Sequence, residues 1–420
     1  MRIFSKLSFV ALLVAVAALL AMPVMAQDDE VVVPAGEDIV LGFAASLSGA
    51  TAPFGIDILR GVELAQEDRP TVTVDGVEFS FTIDAQDELC SAEGGQAVAN
   101  RFSVDSSVVA IIGHMCSSSC NAAAPIYDSA GLTMISPSCT APGLTEREYT
   151  SFNRVVPPDG VQGVLAAMFI YEELGVTRIA TLHDGSDYGD GLVAVVIPAF
   201  EALGGEVVAS DAISVGDTDF RALLESFATD DPELIYFAGF PAEAALLIQQ
   251  FPDAGLEEVI FMGADGIVGT EYIAQAGSAS EFTVGSAPVP VESDELDAFV
   301  ERYIETYNES PPGPYHPNGY DAYNVLLDAI EEVGFINADG DLVISRSALA
   351  DYVRSFTGYE GLTGVLSADG TGETSSASVG FYFVVDGVFE LYDVLNLGAE
   401  MEDMEDMEDM EPVATEEADS

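Results

Sequence analysis

From Ile39 to Met262 short apolar runs alternate with amphipathic stretches, and this order limits the fold more than any other feature of the chain. The strand-like runs are Ile39–Ser46, Val77–Asp84, Val108–Ile112, Leu132–Ile135, Arg178–His183, Glu206–Ile213, Leu234–Phe237 and Val259–Met262. Between them apolar residues recur at helical spacing, as with Ile58, Val62, Leu64 and Ala65 within Phe54–Asp68. Glu93–Phe102, Val161–Leu174, Gly191–Leu203, Phe220–Phe227 and Ala242–Phe251 read in the same way. This βαβα order implies parallel strands with helices on both faces, an α/β fold. Each crossover should be right-handed. A second alternating series starts near Asp159, and 420 residues at 49% hydrophobic content suffice for two domains.

Beyond Met262 the pattern changes. Glu292–Asn308 and Tyr320–Val333 are predicted helices, separated by the proline-rich breaker SPPGPYHP at Ser310–Pro317. Ser347–Phe356 is a further helix, and Ser378–Val385 with Val388–Val394 form a hairpin around Asp386-Gly387. At the front, Met1–Ala26 has the form of a secretory signal: Arg2 and Lys6, an apolar run from Leu7 to Met22, then small residues. No later segment is apolar enough to span a membrane, so the mature protein is expected to be exported and soluble, not an integral membrane protein. Residues 27–37 read as a flexible leader, and 398–420, with MEDMEDMEDME, as a disordered acidic tail.

Acidic residues number 72 against 12 basic, a formal net charge of −60. Only 11 of the acids lie from Glu400 onward, so most of the charge belongs to the folded body. Such a surface excludes nucleic acid and anionic membranes as partners. It suits a saline medium, where screening weakens carboxylate repulsion. An unfolding midpoint indifferent to salt would count against that adaptation. Cys90, Cys116, Cys120 and Cys139 fall close together, and export favours disulfides in one of three pairings. Their spacing is irregular for zinc, and no metal or cofactor is expected.

Ile111–Thr145 carries the densest functional signal. Two strand ends, at Gly113 and at Ser136-Pro137, are each followed by small hydroxyl residues: Ser117, Ser118 and Ser119, then Ser138 and Thr140. Ligands of open α/β sheets bind beyond the carboxyl ends of the strands. Free N–H groups at a following helix N-terminus favour an anion there. Two such edges side by side could hold a small carboxylate. No nucleophile–base pair accompanies them. His114, His183 and His316 sit in unrelated elements without a hydrolytic motif, and no enzymatic role is expected.

Four motifs in order, GHMCSSS at Gly113–Ser119, ISPSCTAPGLT at Ile135–Thr145, HDGSDYGDGL at His183–Leu192 and FMGADG at Phe261–Gly266, resemble the exported branched-chain amino-acid binding proteins of ABC importers. The resemblance spans Ile39 to Leu397. It implies the type I periplasmic-binding-protein fold: two Rossmann-like lobes joined by three crossings, closing on a ligand in the cleft. Lobe one would comprise 38–158 and 288–362, lobe two 159–287 and 363–397. The resemblance further implies that Ser117 and Thr140 bind the ligand carboxylate. The Ser138 carbonyl accepts from the ammonium, Asp265 pairs with it, and Tyr188 closes over the ligand. Phe54 and Phe240 fall where relatives carry Trp or Tyr, so an apolar wall remains and hydroxyls are lost. Relatives bridge the positions of Cys90 and Cys116. Cys120 and Cys139 flank the two binding edges and are paired together in this reading. The implied role is that of a monomeric receptor passing leucine, isoleucine or valine to a membrane permease. The alternatives are another small ligand (an amide, an aromatic or other amino acid) or a sensory role.

Overall fold

The computed structural model describes residues 29–398, apart from residues 148 and 376. The signal at Met1–Ala26 and the acidic tail beyond Gly398 lie outside the described residues. The chain opens with strands β1 (Glu30–Val33) and β2 (Ile39–Ala45), helix α1 (Ala52–Asp68), β3 (Thr71–Val74), β4 (Val77–Asp87) and α2 (Ala92–Val104). Next come β5 (Val108–Gly113), α3 (Ser117–Ala130), β6 (Thr133–Ser136) and β7 (Phe152–Arg154). These build a six-stranded sheet of order β3-β4-β2-β5-β6-β7, parallel except for β3. All six residues of β5, VVAIIG, are buried, as a parallel strand covered on both faces requires.

The second sheet follows. Its elements are α4 (Asp159–Met168), β8 (Arg178–His183), α5 (Asp187–Ala202), β9 (Glu206–Ala212), α6 (Arg221–Asp230), β10 (Leu234–Ala238), α7 (Pro241–Ala254), β11 (Ile260–Gly263), α8 (Thr270–Ala276) and β12 (Val284–Pro288). The chain then returns to the first sheet. There α9 (Asp294–Tyr307), α10 (His316–Val333), β13 (Phe335–Ile336), β14 (Leu342–Ser345) and α11 (Arg346–Val353) add to its flank. A small β15 (Tyr359–Gly361) and β16 (Gly364–Leu366) precede a last passage to β17 (Ser378–Val385) and β18 (Val388–Asn396). The second sheet has the order β18-β17-β12-β11-β10-β8-β9. Its β17–β18 turn places Asp386 at φ 52° and Gly387 at φ 75°, the left-handed pair that a tight hairpin needs.

Three differences from the sequence reading have physical causes. The segment expected to be a flexible leader is in part a strand: β1 pairs antiparallel with β14. Val31 and Val33 are 2% and 4% exposed, so this alternation buries one face. The helix expected over Val161–Leu174 starts at Asp159 and ends in a π-turn at Phe169–Glu173. The breaker does not delay α10 until Tyr320, because Pro317 sits in its first turn, where no intrahelical N–H is lost.

Candidate functional site

The carboxyl ends of β5 and β6 form one wall. After Gly113 the chain turns around a buried polar chain. His114 Nδ1 lies 2.6 Å from Glu88 Oε2 and its Nε2 lies 3.0 Å from the Tyr127 hydroxyl. Glu88 also accepts the Cys116 N–H at 2.9 Å. The disulfides Cys90–Cys116 and Cys120–Cys139 brace the same turn, with Cα separations of 5.2 and 6.6 Å. Ser117 is the first residue of α3 rather than its cap, which is Cys116. Its hydroxyl accepts the Ala141 N–H at 3.3 Å. Ser138 Oγ donates to the Met115 carbonyl at 2.9 Å. Ser136 Oγ donates to the His114 carbonyl at 2.7 Å and accepts the Cys139 N–H at 2.8 Å, stitching the two edges together.

The facing wall centres on Asp265, in a short turn after β11. Its Oδ1 accepts from the Tyr188 hydroxyl at 2.7 Å and from Gln162 Nε2 at 2.9 Å. Its Oδ2 accepts from the Tyr315 hydroxyl. Tyr188 stands at the start of α5, takes the Gly266 N–H at 3.1 Å, and leans its ring on Phe240 at 5.6 Å. Tyr315 precedes α10, where Asp57 accepts the N–H groups of Tyr315 and His316, each at 2.9 Å. Burial raises the Asp265 carboxyl above its ordinary range, opposed by the bonds from Tyr315, Tyr188 and Gln162. Asp159 is fully buried, and neither of its carboxyl oxygens has a hydrogen-bond partner. Burial, then the Asp265 charge, push it well up; Thr140 lies near enough to oppose this without reaching hydrogen-bond geometry. Burial and the Asp265 charge likewise hold the Tyr188 and Tyr315 phenols far above their usual range.

Six of the seven expected ligand residues line one chamber of about 30 Å³: Phe54, Ser117, Ser138, Tyr188, Phe240 and Asp265. Thr140 does not line it; its side chain is 1% exposed and its hydroxyl has no partner. The chamber adjoins a cavity of about 240 Å³ that shares Cys116, Ser117, Tyr188 and Phe240 and extends past Leu89 and Val215. Between the starts of α3 and α5, Asn121 Nδ2 donates to Asp187 Oδ2 at 2.7 Å, and the Asp187 N–H reaches Ser118 Oγ at 3.1 Å. Tyr315, Gln162 and Asp159 were not singled out from the sequence. Tyr315 lies in the proline breaker and Asp159 beside Pro158, so both read as punctuation. Only the carboxamide among apolar neighbours of α4 marked Gln162.

A family model described as periplasmic binding protein matches residues 38–384. The chain belongs to the periplasmic binding protein family. It is 33% identical over 340 residues to the leucine-, isoleucine-, valine-, threonine- and alanine-binding protein of Pseudomonas aeruginosa, covering 81% of this chain and 88% of the relative. The solved leucine-binding protein of Thermotoga maritima superposes with a TM-score of 0.79 at 28% identity, over 86% of this chain and 99% of that one. An ABC-transporter solute-binding protein of R. palustris, solved with 4-hydroxybenzoate, shares the fold at a TM-score of 0.74 and 18% identity, over 86% of this chain and 97% of that one. The walls of this periplasmic binding protein are chemically opposite. One offers a helix N-terminus and hydroxyls, which suit an anion. The other offers a carboxylate and aromatic rings, which suit a cation on an apolar frame. Among the described residues, no helix is long and apolar enough to cross a membrane.

Proposed function

We propose that this protein is an extracytoplasmic receptor that captures a hydrophobic amino acid by lobe closure and delivers it to an ABC import permease. The observation that carries this reading is the juxtaposition of Ser117 and Ser138 with Asp265 and Tyr188 around one chamber. Ser117 takes the ligand carboxylate, joined by Thr140, whose buried hydroxyl has no partner and stands outside the lining of the unliganded chamber, and the Ser138 carbonyl takes one ammonium hydrogen. Asp265 neutralises the ammonium, while Tyr188, Phe54 and Phe240 enclose the side chain. A ligand that touches both walls favours the closed state by its differential affinity alone. The relatives support the ligand class, the P. aeruginosa protein by its name and the T. maritima protein likewise. The signal-like Met1–Ala26 supports export. The role is binding rather than turnover.

A second reading, an aromatic carboxylic acid, has one observation in its favour. Asp265 already holds three donors, a state that a ligand without an ammonium would leave undisturbed. One thermal-shift screen separates the two. The mature protein is tested against the twenty amino acids, leucinamide and 4-hydroxybenzoate. A ligand at 1,000 times its Kd stabilises by about 4 kcal/mol, a shift of several degrees. Shifts with leucine, isoleucine or valine uphold the first reading. A shift with 4-hydroxybenzoate alone replaces it with the second.

A further inference from the structure

Arg154 ends β7 and is 1% exposed. Its Nε donates to Glu373 Oε2 at 2.7 Å and its Nη2 donates to Glu373 Oε1, a two-pronged pairing. Its Nη1 donates to the Cys139 carbonyl at 2.9 Å and to the Ala141 carbonyl at 3.1 Å. Those carbonyls bracket Thr140. The carbonyl between them, that of Thr140 itself, accepts the Asp159 N–H at 2.8 Å. Three consecutive carbonyls are therefore turned toward Arg154 and the start of α4. The Ala141 N–H meanwhile goes to Ser117 Oγ. One cation thus anchors the loop that carries Thr140 and contacts Ser117.

The anion comes from elsewhere in the chain. Glu373 belongs to the passage between β16 and β17, whereas Arg154 stands just ahead of the passage at Pro157-Pro158. The contact is fixed by backbone as well as charge. The Arg154 N–H donates to the Gly372 carbonyl at 3.0 Å. Gly372, at φ 106°, lies so near the Phe152 carbonyl that a Cβ would come within 2.5 Å of it. The Thr145 hydroxyl donates to Glu373 Oε1 at 2.7 Å.

We infer that Arg154 and Glu373 are positioning residues for the ligand carboxylate, holding the Cys139–Ala141 loop and tying it to two of the passages about which the lobes close. Neither residue lines the chamber, so they act through the Thr140 loop and through Ser117, which lines it and accepts the Ala141 N–H. The inference rests on the reading of those two residues as the carboxylate site. Loss of the pair should therefore weaken ligands in proportion to their use of a carboxylate. A merely structural pair would weaken every ligand alike.

The test uses the mature chain with Glu373→Gln, which keeps the shape and removes the charge, and Glu373→Asp, which keeps the charge on a shorter arm. Calorimetry measures leucine and leucinamide at a pH where both amines are charged. Glu373→Gln should weaken leucine about tenfold and leucinamide less than about twofold, with Glu373→Asp between it and the parent. Amide hydrogen exchange gives a readout that needs no ligand. In Glu373→Gln the Ala141 amide should exchange about tenfold faster while the β5 amides keep their rates. Equal losses for both ligands, or an undiminished leucine affinity, overturn the inference. If the parent binds neither ligand, the proposed function fails instead. Ala141 exchange then decides this point alone, and an unchanged rate overturns it.

Discussion

In the proposed reading, the two walls of the cleft take opposite ends of the ligand by opposite means. The β5–β6 wall places no charged side chain on the chamber; it contributes Met115, Cys116, Ser117 and Ser138. What suits it to an anion is the α3 N-terminus, equivalent to about half a positive charge, with hydroxyls fixed when the chain folds. Two disulfides, the Glu88–His114–Tyr127 chain and Arg154 hold that geometry. The Asp265 wall instead uses a full charge, buried and held by three side chains from three separate segments. The difference is that rigid dipoles can suit an anion without a counter-charge. The cation site needs a charge whose burial makes it titratable.

The largest expected effect breaks the charged wall. Asp265→Ala removes the proposed partner of the ligand ammonium and leaves Gln162, Tyr188 and Tyr315 without their shared acceptor. Truncating one member of a buried charge pair costs about 2–5 kcal/mol, so leucine affinity should fall at least about thirtyfold by calorimetry. Affinity within twofold of the parent would remove Asp265 from the site. The next effect breaks the rigid wall. Replacing Cys120 and Cys139 by alanine opens a loop of sequence separation 19, worth about 3 kcal/mol of stability by the chain-entropy estimate. The urea midpoint should drop accordingly, and an unmoved midpoint would mean that the polar network suffices. Smaller again, Ser117→Ala leaves the Ala141 N–H without its acceptor and removes one carboxylate donor. Leucine affinity should fall by about 1–2 kcal/mol, with leucinamide less affected. Equal losses would place Ser117 outside the carboxylate end.

The same contrast explains what the sequence could and could not reveal. The rigid wall is local: β5, α3 and β6 follow one another, and their hydroxyls sit at strand ends that apolar patterning exposes. Eight apolar runs between Ile39 and Met262 are strands within a residue or a few of the expected ends. Short or diluted strands were missed. Phe152–Arg154 has three residues, and Val284–Pro288 carries a Gly, a Ser and a Pro. The charged wall is assembled from afar. Tyr315 meets Asp265 across a sequence separation of 50 and Gln162 across 103, and even the local wall has one distant brace, Arg154 with Glu373 across 219. No local pattern marks such partners. The motif around FMGADG pointed to Asp265, but nothing in the sequence indicated which phenols would hold it.

The smallest effect is also the one that separates the walls most cleanly, because only the Asp265 wall lines the chamber with a carboxylate. Burial raises the carboxyls of Asp265 and Asp159 above the ordinary 3.8. Binding of an ammonium favours the charged form of Asp265. Leucine affinity should therefore hold at neutral pH and fall as the pH drops through the raised value, approaching tenfold, or about 1.4 kcal/mol, per pH unit below it. The stability of the unliganded protein responds with the opposite sign. A carboxyl whose folded pKa exceeds its unfolded one binds more protons when folded. The pair's stabilisation is thus complete below 3.8 and is lost as the pH rises through the raised values. Exposed acids such as Asp219, which its bonds with Arg221 lower to about 2, act against this, so the informative quantity is a difference between variants. Leucine titrations of the parent, Ser117→Ala and Asp265→Asn between about pH 4.5 and 8 supply it. Ser117→Ala should reproduce the parent's pH dependence at uniformly lower affinity, and Asp265→Asn should flatten it. If Asp265→Asn keeps the full dependence, the titrating charge lies elsewhere, and Asp159, which has no partner for either oxygen, becomes the group to replace next.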